Sequence, residues 1–196
     1  GAERVVLTVP AEDEIDRILN LYPPEITRVN YNLLDSHDMP RFLSCAGGDK
    51  NSLQLAWLLL LTFPGAPSIY YGDEIGVDGK HDPECRKSFP WDETKWDHGL
   101  LDYLKSAISL RKSHASLRRG TFKRLWSADG VYAFERAHAD ESLVVAVNAS
   151  EAATRIEVGV DAKKKARALF GQPSNVEFQN GTLRFVIPAR SGVVIG

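Results

Sequence analysis

The sequence predicts an α/β region followed by an all-β region, changing character near residue 115. Before that point helix-like and strand-like segments alternate, the pattern of a parallel sheet with helical crossovers. After it nearly every segment alternates apolar and polar residues between turn signals, the pattern of an antiparallel β-sandwich. The expected division is 1–115 and 116–196.

In residues 11–21, Ile15, Ile18, Leu19 and Leu21 recur at helical spacing. Glu12, Asp13, Glu14 and Asp16 lie early, where the helix dipole favours acids. Pro23-Pro24 stops that helix, and residues 28–34 (RVNYNLL) read as a short strand. Residues 51–63 are apolar almost all round, as in a helix packed on several sides. Pro64-Gly65 ends it, and residues 68–71 read as a short aromatic strand before a long polar loop. Asp97 is placed to cap the next helix, whose apolar stripe is Leu101, Leu104, Ala107, Ile108 and Leu110.

From Thr121 the segments are TFKRLW, VYAFERA, SLVVAVNAS, TRIEVGV, ARALFG, VEFQN and TLRFVIPARSGVVIG. Asp129-Gly130, Asp140-Glu141, Gln172-Pro173 and Asn180-Gly181 separate them, and Asn-Gly is a strong hairpin signal. The expected core is Phe134, Val145, Val147, Phe185 and Ile187.

Composition narrows the function classes. A net charge of −2 with acids and bases interspersed leaves no broad footprint for nucleic acid. The run Lys163-Lys164-Lys165 reads as a solvated turn. Residues 53–63 are too few to span a membrane, and no signal peptide is expected from the first residues given. Cys45 and Cys85 make no disulfide framework, which suits a reducing cytoplasm. No cofactor is expected. His81, Asp82 and Asp78 match no regular metal-site spacing, so no metal is expected either. Cys45 has no activating surroundings, and His114 and His138 read as surface residues.

Three clusters carry chemistry. In NLLDSHDMPR (32–41), Asp35, Ser36, His37, Asp38 and Arg41 follow a strand end, where ligands gather in parallel α/β structures. His37 and Asp38 suit a polyol, and a carboxylate there can stabilise developing positive charge; a polar loop with a capping aspartate gives the same pattern. In PGAPSIYYGDEIG (64–76), Asp73 and Glu74 form a second polar wall, or else pair with arginines of neighbouring strands between the turns at Gly72 and Gly76. In CRKSFPWDE (85–93), Trp91 offers a flat face for a sugar ring, or a plug between loop and sheet.

In order and spacing these clusters resemble the α-amylase family, in its cyclomaltodextrinase, neopullulanase and maltogenic amylase branch. NLLDSHDMPR looks like the last signature region, PGAPSIYYGDEIG like the eighth barrel strand, and HDPECRKSFPWDE like the loop after it. The resemblance implies a carboxyl-terminal part of such an enzyme: strands seven and eight of a (β/α)8 TIM barrel, then the sandwich. It implies that Asp38 is the third catalytic carboxylate, that His37 binds sugar hydroxyls, and that Arg41 orients the loop. Met39 stands where the family commonly has threonine. A retaining glycosidase also needs a nucleophile and an acid about 5–5.5 Å apart, and in this family both precede the seventh strand. Neither signature region occurs before Leu34, so the isolated chain is expected to be inactive.

The implied substrate is an α-1,4-glucan of starch, cyclodextrin or pullulan type, and the implied partner is the amino-terminal part of the barrel. Without it, residues 29–33 or 68–71 would present an open strand edge, and the chain is expected either to self-associate there or to keep its barrel portion partly disordered. Two other readings stand beside this one. One is a non-catalytic carbohydrate-binding or structural module; the other is a metal-dependent hydrolase using His37, Asp38 and His81.

Overall fold

The computed structural model describes residues 11–160 and 166–196, with side chains from Glu14 onward, so the triple-lysine run lies outside it. The chain forms two compact units. The first comprises the described residues through Leu60 with Gly65–Ser106; the second is Leu61–Pro64 with the described residues of Ala107–Gly196.

In the first unit, α1 (Ala11–Asn20) ends before the two prolines, but Pro24 then opens a second short helix, α2 (Pro24–Thr27). Proline suits a first helical turn, where its missing N–H has no partner to lose. Strand β1 is only Tyr31–Asn32, not the expected 28–34, because α2 and its cap take residues through Arg28. Helix α3 (Phe42–Cys45) and helix α4 (Lys50–Thr62) follow, then β2 (Ala66–Pro67). The second strand thus lies just before the expected 68–71, and it pairs in parallel with β1, Tyr31 facing Ala66 and Asn32 facing Pro67. The bonding amides are those of Ala66 and Ser68, to the carbonyls of Asn30 and Asn32, and Pro67 has no N–H to extend the ladder. Gly65 permits this approach: its φ is +112°, and a Cβ there would lie 2.8 Å from the Asn30 carbonyl oxygen.

Three single 3₁₀ turns (Asp73–Ile75, Glu84–Arg86, Glu93–Lys95) punctuate the long loop before α5 (His98–Ser113). Asp97 caps α5 as expected, its Oδ1 accepting the Leu100 amide at 2.9 Å. Leu53, Trp57, Leu58 and Leu100 are almost fully buried. Val29, Tyr31 and Leu33, alternating along the β1 segment, are exposed, as are Ile18, Leu21, Tyr22 and Ile26. Among the described residues no helix is long and apolar enough to cross a membrane.

The second unit opens with α6 (Ala115–Arg119) and continues as β3 (Thr121–Ala128), β4 (Val131–His138), β5 (Glu141–Asn148), β6 (Thr154–Gly159), β7 (Ala168–Phe170), β8 (Ser174–Gln179), β9 (Thr182–Ile187) and β10 (Ser191–Ile195). A five-stranded sheet, β3-β4-β5-β10-β7, and a three-stranded sheet, β6-β9-β8, are both antiparallel throughout. Asn180 and Gly181 both take positive φ between β8 and β9, the turn that Asn-Gly favours.

The sandwich core is built from Val131, Ala133, Val144, Ala146, Ile156, Val158, Phe185, Ile187 and Val193. Phe185 and Ile187 are in it, as expected. Phe134 and Val145 are fully buried but on the opposite face of β4 and β5, which α6 helps to cover, and Val147 is only half-buried. Burial on both faces erases the alternation that would have told the faces apart.

Residues 61–64 join this unit because two arginines hold the carbonyls at the end of α4. Arg111 Nη1 donates to the Leu61 and Phe63 oxygens, and Arg136 Nη1 to that of Thr62. Arg136 also donates to the Thr121 and Gly120 carbonyls. Guanidinium groups thereby satisfy acceptors that a helix end leaves open. Burial, with Arg111 nearby, pushes Arg136 down to about 10.

Phe185→Ala should cost about 3–5 kcal/mol of the second unit's stability, and Val147→Ala only roughly 1 kcal/mol. Urea unfolding followed by circular dichroism of the full chain checks the ranking. Equal losses would contradict this core.

Candidate active site

Beyond β1 the chain forms a short loop, 36–40, between two anchored residues. Asp35 is buried, and its Oδ2 accepts the Phe42 amide at 2.6 Å. Arg41, at the start of α3, is buried and donates its backbone N–H to the Gly79 carbonyl at 2.8 Å. Within the loop, Ser36 Oγ accepts the Asp38 amide at 3.2 Å, a local turn typical of serine.

His37 and Asp38 stand on this loop, their side chains 63% and 67% exposed, with Nε2 and Oδ2 3.2 Å apart. Arg86 completes the cluster. Its Nε donates to the His37 carbonyl at 2.9 Å, and its guanidinium lies 3.6 Å from Asp38 and 3.2 Å from Asp82. The buried Cys85 thiol donates to the same His37 carbonyl. Nothing in the local sequence marks Arg86 as a neighbour of Asp38, 48 positions before it. The only cue is its place in the CRK stretch of the loop.

Arg41 and Asp73 form a second, buried cluster, with the buried Asp35 beside them. Nη1 of Arg41 donates to Asp73 Oδ1 at 2.8 Å and to the Tyr71 carbonyl at 2.7 Å. The guanidinium lies over the rings of Tyr70 and Tyr71, 4.4 and 4.9 Å from their centroids. Burial pushes the Asp73 carboxyl up to about 8; Asp35 adds to the rise and Arg41 opposes it. Asp73 thus pairs with an arginine, though one at a helix start and not on a strand. Gly72 and Gly76, both with positive φ, turn the chain on either side of Asp73–Ile75, and Glu74 is half-buried there. The contributions of Asp35, Tyr70 and Tyr71 were not legible from their sequence positions.

Trp91 is a third feature, 83% exposed, with its ring 4.8 Å from that of Phe89. Phe89 in turn meets Trp96, whose Nε1 donates to the Pro90 carbonyl at 2.6 Å. The loop is tied back where the Tyr71 hydroxyl donates to the Lys87 carbonyl and Lys87 pairs with Asp78. His81, Asp82 and Asp78 do not assemble; among the described residues no group of three potential ligands could hold a metal ion. His114, expected at the surface, is partly buried against Glu141, which accepts from the Ser116 amide at the start of α6. A shallow depression in the second unit, lined by Arg155, Asn175, Glu177, Arg184, Phe185 and Val186, contains none of the candidate residues.

The family described as "Alpha amylase, catalytic domain" matches residues 3–120, and "Alpha-amylase C-terminal domain" matches residues 120–195. A cyclomaltodextrinase of Geobacillus thermopakistaniensis (strain MAS1) is 40% identical over 155 residues, 78% of this chain and 26% of that protein. Neopullulanase 2 of Thermoactinomyces vulgaris is 44% identical over 138 residues, 69% of this chain and 23% of that protein. The native form of the Nostoc punctiforme debranching enzyme superposes with a TM-score of 0.88 at 38% identity, over 94% of this chain and 39% of that one. The chain therefore spans about a quarter of the length of these curated relatives.

Arg41→Leu should cost about 3–5 kcal/mol, because it strands buried carboxyl groups without their cation. Arg41→Lys should recover only part of this, since a lysine cannot reproduce the planar, stacked fork. Thermal melts of the three proteins check the order. A Leu variant as stable as the parent would contradict the network.

Proposed function

The chain belongs to the α-amylase family, and on that premise we propose that it supplies one wall of the active site of a retaining hydrolase of α-1,4-glucans. In this reading Asp38 stabilises the transition state, and the nucleophile and general acid come from barrel strands that precede residue 31 in the complete enzyme. The observation that carries it is the exposed His37–Asp38 pair just past a parallel strand. The names of the relatives, cyclomaltodextrinase and neopullulanase, support the substrate class.

The chemistry follows from the groups present. A retaining glycosidase passes through an oxocarbenium-like transition state, in which positive charge grows on the sugar ring. An ionised carboxylate held near that charge lowers the barrier without forming a bond. Asp38 is held on both sides, by the His37 imidazole and the Arg86 guanidinium, so its oxygens need little reorganisation when substrate arrives. The imidazole N–H and the carboxylate together suit a pair of neighbouring sugar hydroxyls, one accepting and one donating. Arg41, Asp73 and Glu74 support the walls from behind, and Trp91 presents a face to the C–H surface of a sugar ring.

The apolar face left open at Val29, Tyr31 and Leu33 takes the preceding barrel segments in the same reading. Alone, the chain covers that face by self-association. Sedimentation of the isolated chain should show dimers or larger species, and Tyr31→Lys should shift them toward monomer. A monomeric parent chain would count against this part of the proposal.

The central test uses the enzyme completed with its preceding barrel segments. Asp38→Asn should lower kcat by about 10²–10³-fold with a small change in KM, since the lost interaction belongs to the transition state. Steady-state kinetics on a cyclodextrin measures it. Full activity of the variant would refute the role given to Asp38.

A further inference from the structure

The network around Arg41 holds one cation and two carboxyl groups. Arg41 and Asp73 side chains are 0% and 6% exposed, and Asp35 is buried beside them. If both carboxyls were ionised, the cluster would hold an uncompensated negative charge away from water, a state that proteins avoid by taking up a proton. The hydrogen bonds point to the same vacancy. Asp35 Oδ2 accepts the Phe42 amide, but its Oδ1 is buried without a donor. Asp73 Oδ1 accepts from Arg41.

Among the surrounding groups no donor reaches Asp35 Oδ1, and Arg41 Nε and Nη2 are themselves buried without an acceptor. Arg41 Nη1 is committed to the Tyr71 carbonyl and Asp73, and its guanidinium carbon lies over the rings of Tyr70 and Tyr71. The Tyr71 hydroxyl donates to Lys87, and the Cys85 thiol to His37. Asp78 is paired with Lys87, and Asp97 with Lys50. Tyr70 is half-buried beside Tyr71, and desolvation, with the Tyr71 hydroxyl adding to it, pushes its hydroxyl pKa up.

We infer that Asp73 is held as the carboxylic acid, donating its proton from Oδ2 to Asp35 Oδ1, and that the neutral Arg41–Asp73–Asp35 cluster positions the loop bearing His37 and Asp38. Asp35 and Arg41 bracket that loop, so one proton secures both of its ends. The three are positioning residues, because none reaches the solvent face where a sugar would lie. The proton rests on geometry and charge balance within the first unit. Its link to catalysis rests on the role proposed above for Asp38.

Burial raises the Asp73 pKa from 3.8 to about 8. A carboxyl raised on folding contributes stability that is fully present below its unfolded value and lost as pH rises through its folded one. The contribution therefore declines between about pH 4 and pH 8. Carboxyls lowered on folding, such as Asp78, Asp97 and Glu141, act in the opposite direction but complete their effect in the acid range.

The test is carbon NMR of the full chain labelled at the aspartate carboxyl carbons, titrated from about pH 5 to pH 10. One carbon should titrate with a midpoint near 8. It should vanish in Asp73→Asn, whose neutral amide can still donate to Asp35 and accept from Arg41. In Asp35→Asn its midpoint should fall by about one unit or more. Amide exchange of residues 36–39, compared at matched intrinsic rates, should rise above pH 8 in the parent and not in Asp73→Asn. A parent chain whose aspartate carbons all finish titrating below about pH 6 overturns the inference, even if a variant fails to fold. No sugar enters these readouts. An inactive Asp38 role with the late titration intact would therefore refute the glycosidase reading alone.

Discussion

One buried guanidinium organises the first unit. Arg41 reaches the segment after β2 through Tyr71 and Asp73, reaches the long loop through its own amide and Gly79, and opens α3. A buried cation is costly unless its surroundings answer it, so each of these contacts is also a condition on the others. Two tyrosine rings, a carboxyl partner and a carbonyl acceptor answer the charge at Nη1, while Nε and Nη2 are buried without a hydrogen-bond partner. The two-residue ladder between β1 and β2 is too short to impose this arrangement by itself.

The groups suited to chemistry sit apart from this stabilising network. His37, Asp38 and Arg86 are about half to two-thirds exposed, and ion pairs in that setting add little to stability. Their value is in availability, with carboxylate oxygens and ring nitrogen open to a polar ligand. Rigidity comes instead from the bracketing residues, which a ligand cannot reach. Stability and reactivity are thus assigned to different side chains a few positions apart.

The second unit uses arginine in another way. Arg136 and Arg111 answer carbonyl oxygens, gathering the end of α4 onto strands β4 and β5, which are buried on both faces. Desolvation lowers the Arg136 pKa, but a guanidinium remains charged at neutral pH and can serve as a multivalent donor. The consequence is structural: residues 61–64 fold with the sandwich and not with the helix that precedes them.

Periodicity and turn chemistry in the sequence were enough to determine the two classes of structure, the Asp97 cap, the Asn180-Gly181 hairpin and the polar loop containing His37 and Asp38. These depend on neighbours within a few residues, where spacing and capping act directly. The same local signals misplaced both short strands, since a proline can start a helix as readily as end one. They also blurred the faces of β4 and β5, where both sides are covered. Only the tertiary structure decided that Arg86 meets Asp38, that Asp35, Arg41 and Asp73 share one buried site, and that two arginines hold the end of α4. Those pairings join stretches tens of residues apart, and charge and burial at such distances are set by the folded chain, not by sequence spacing.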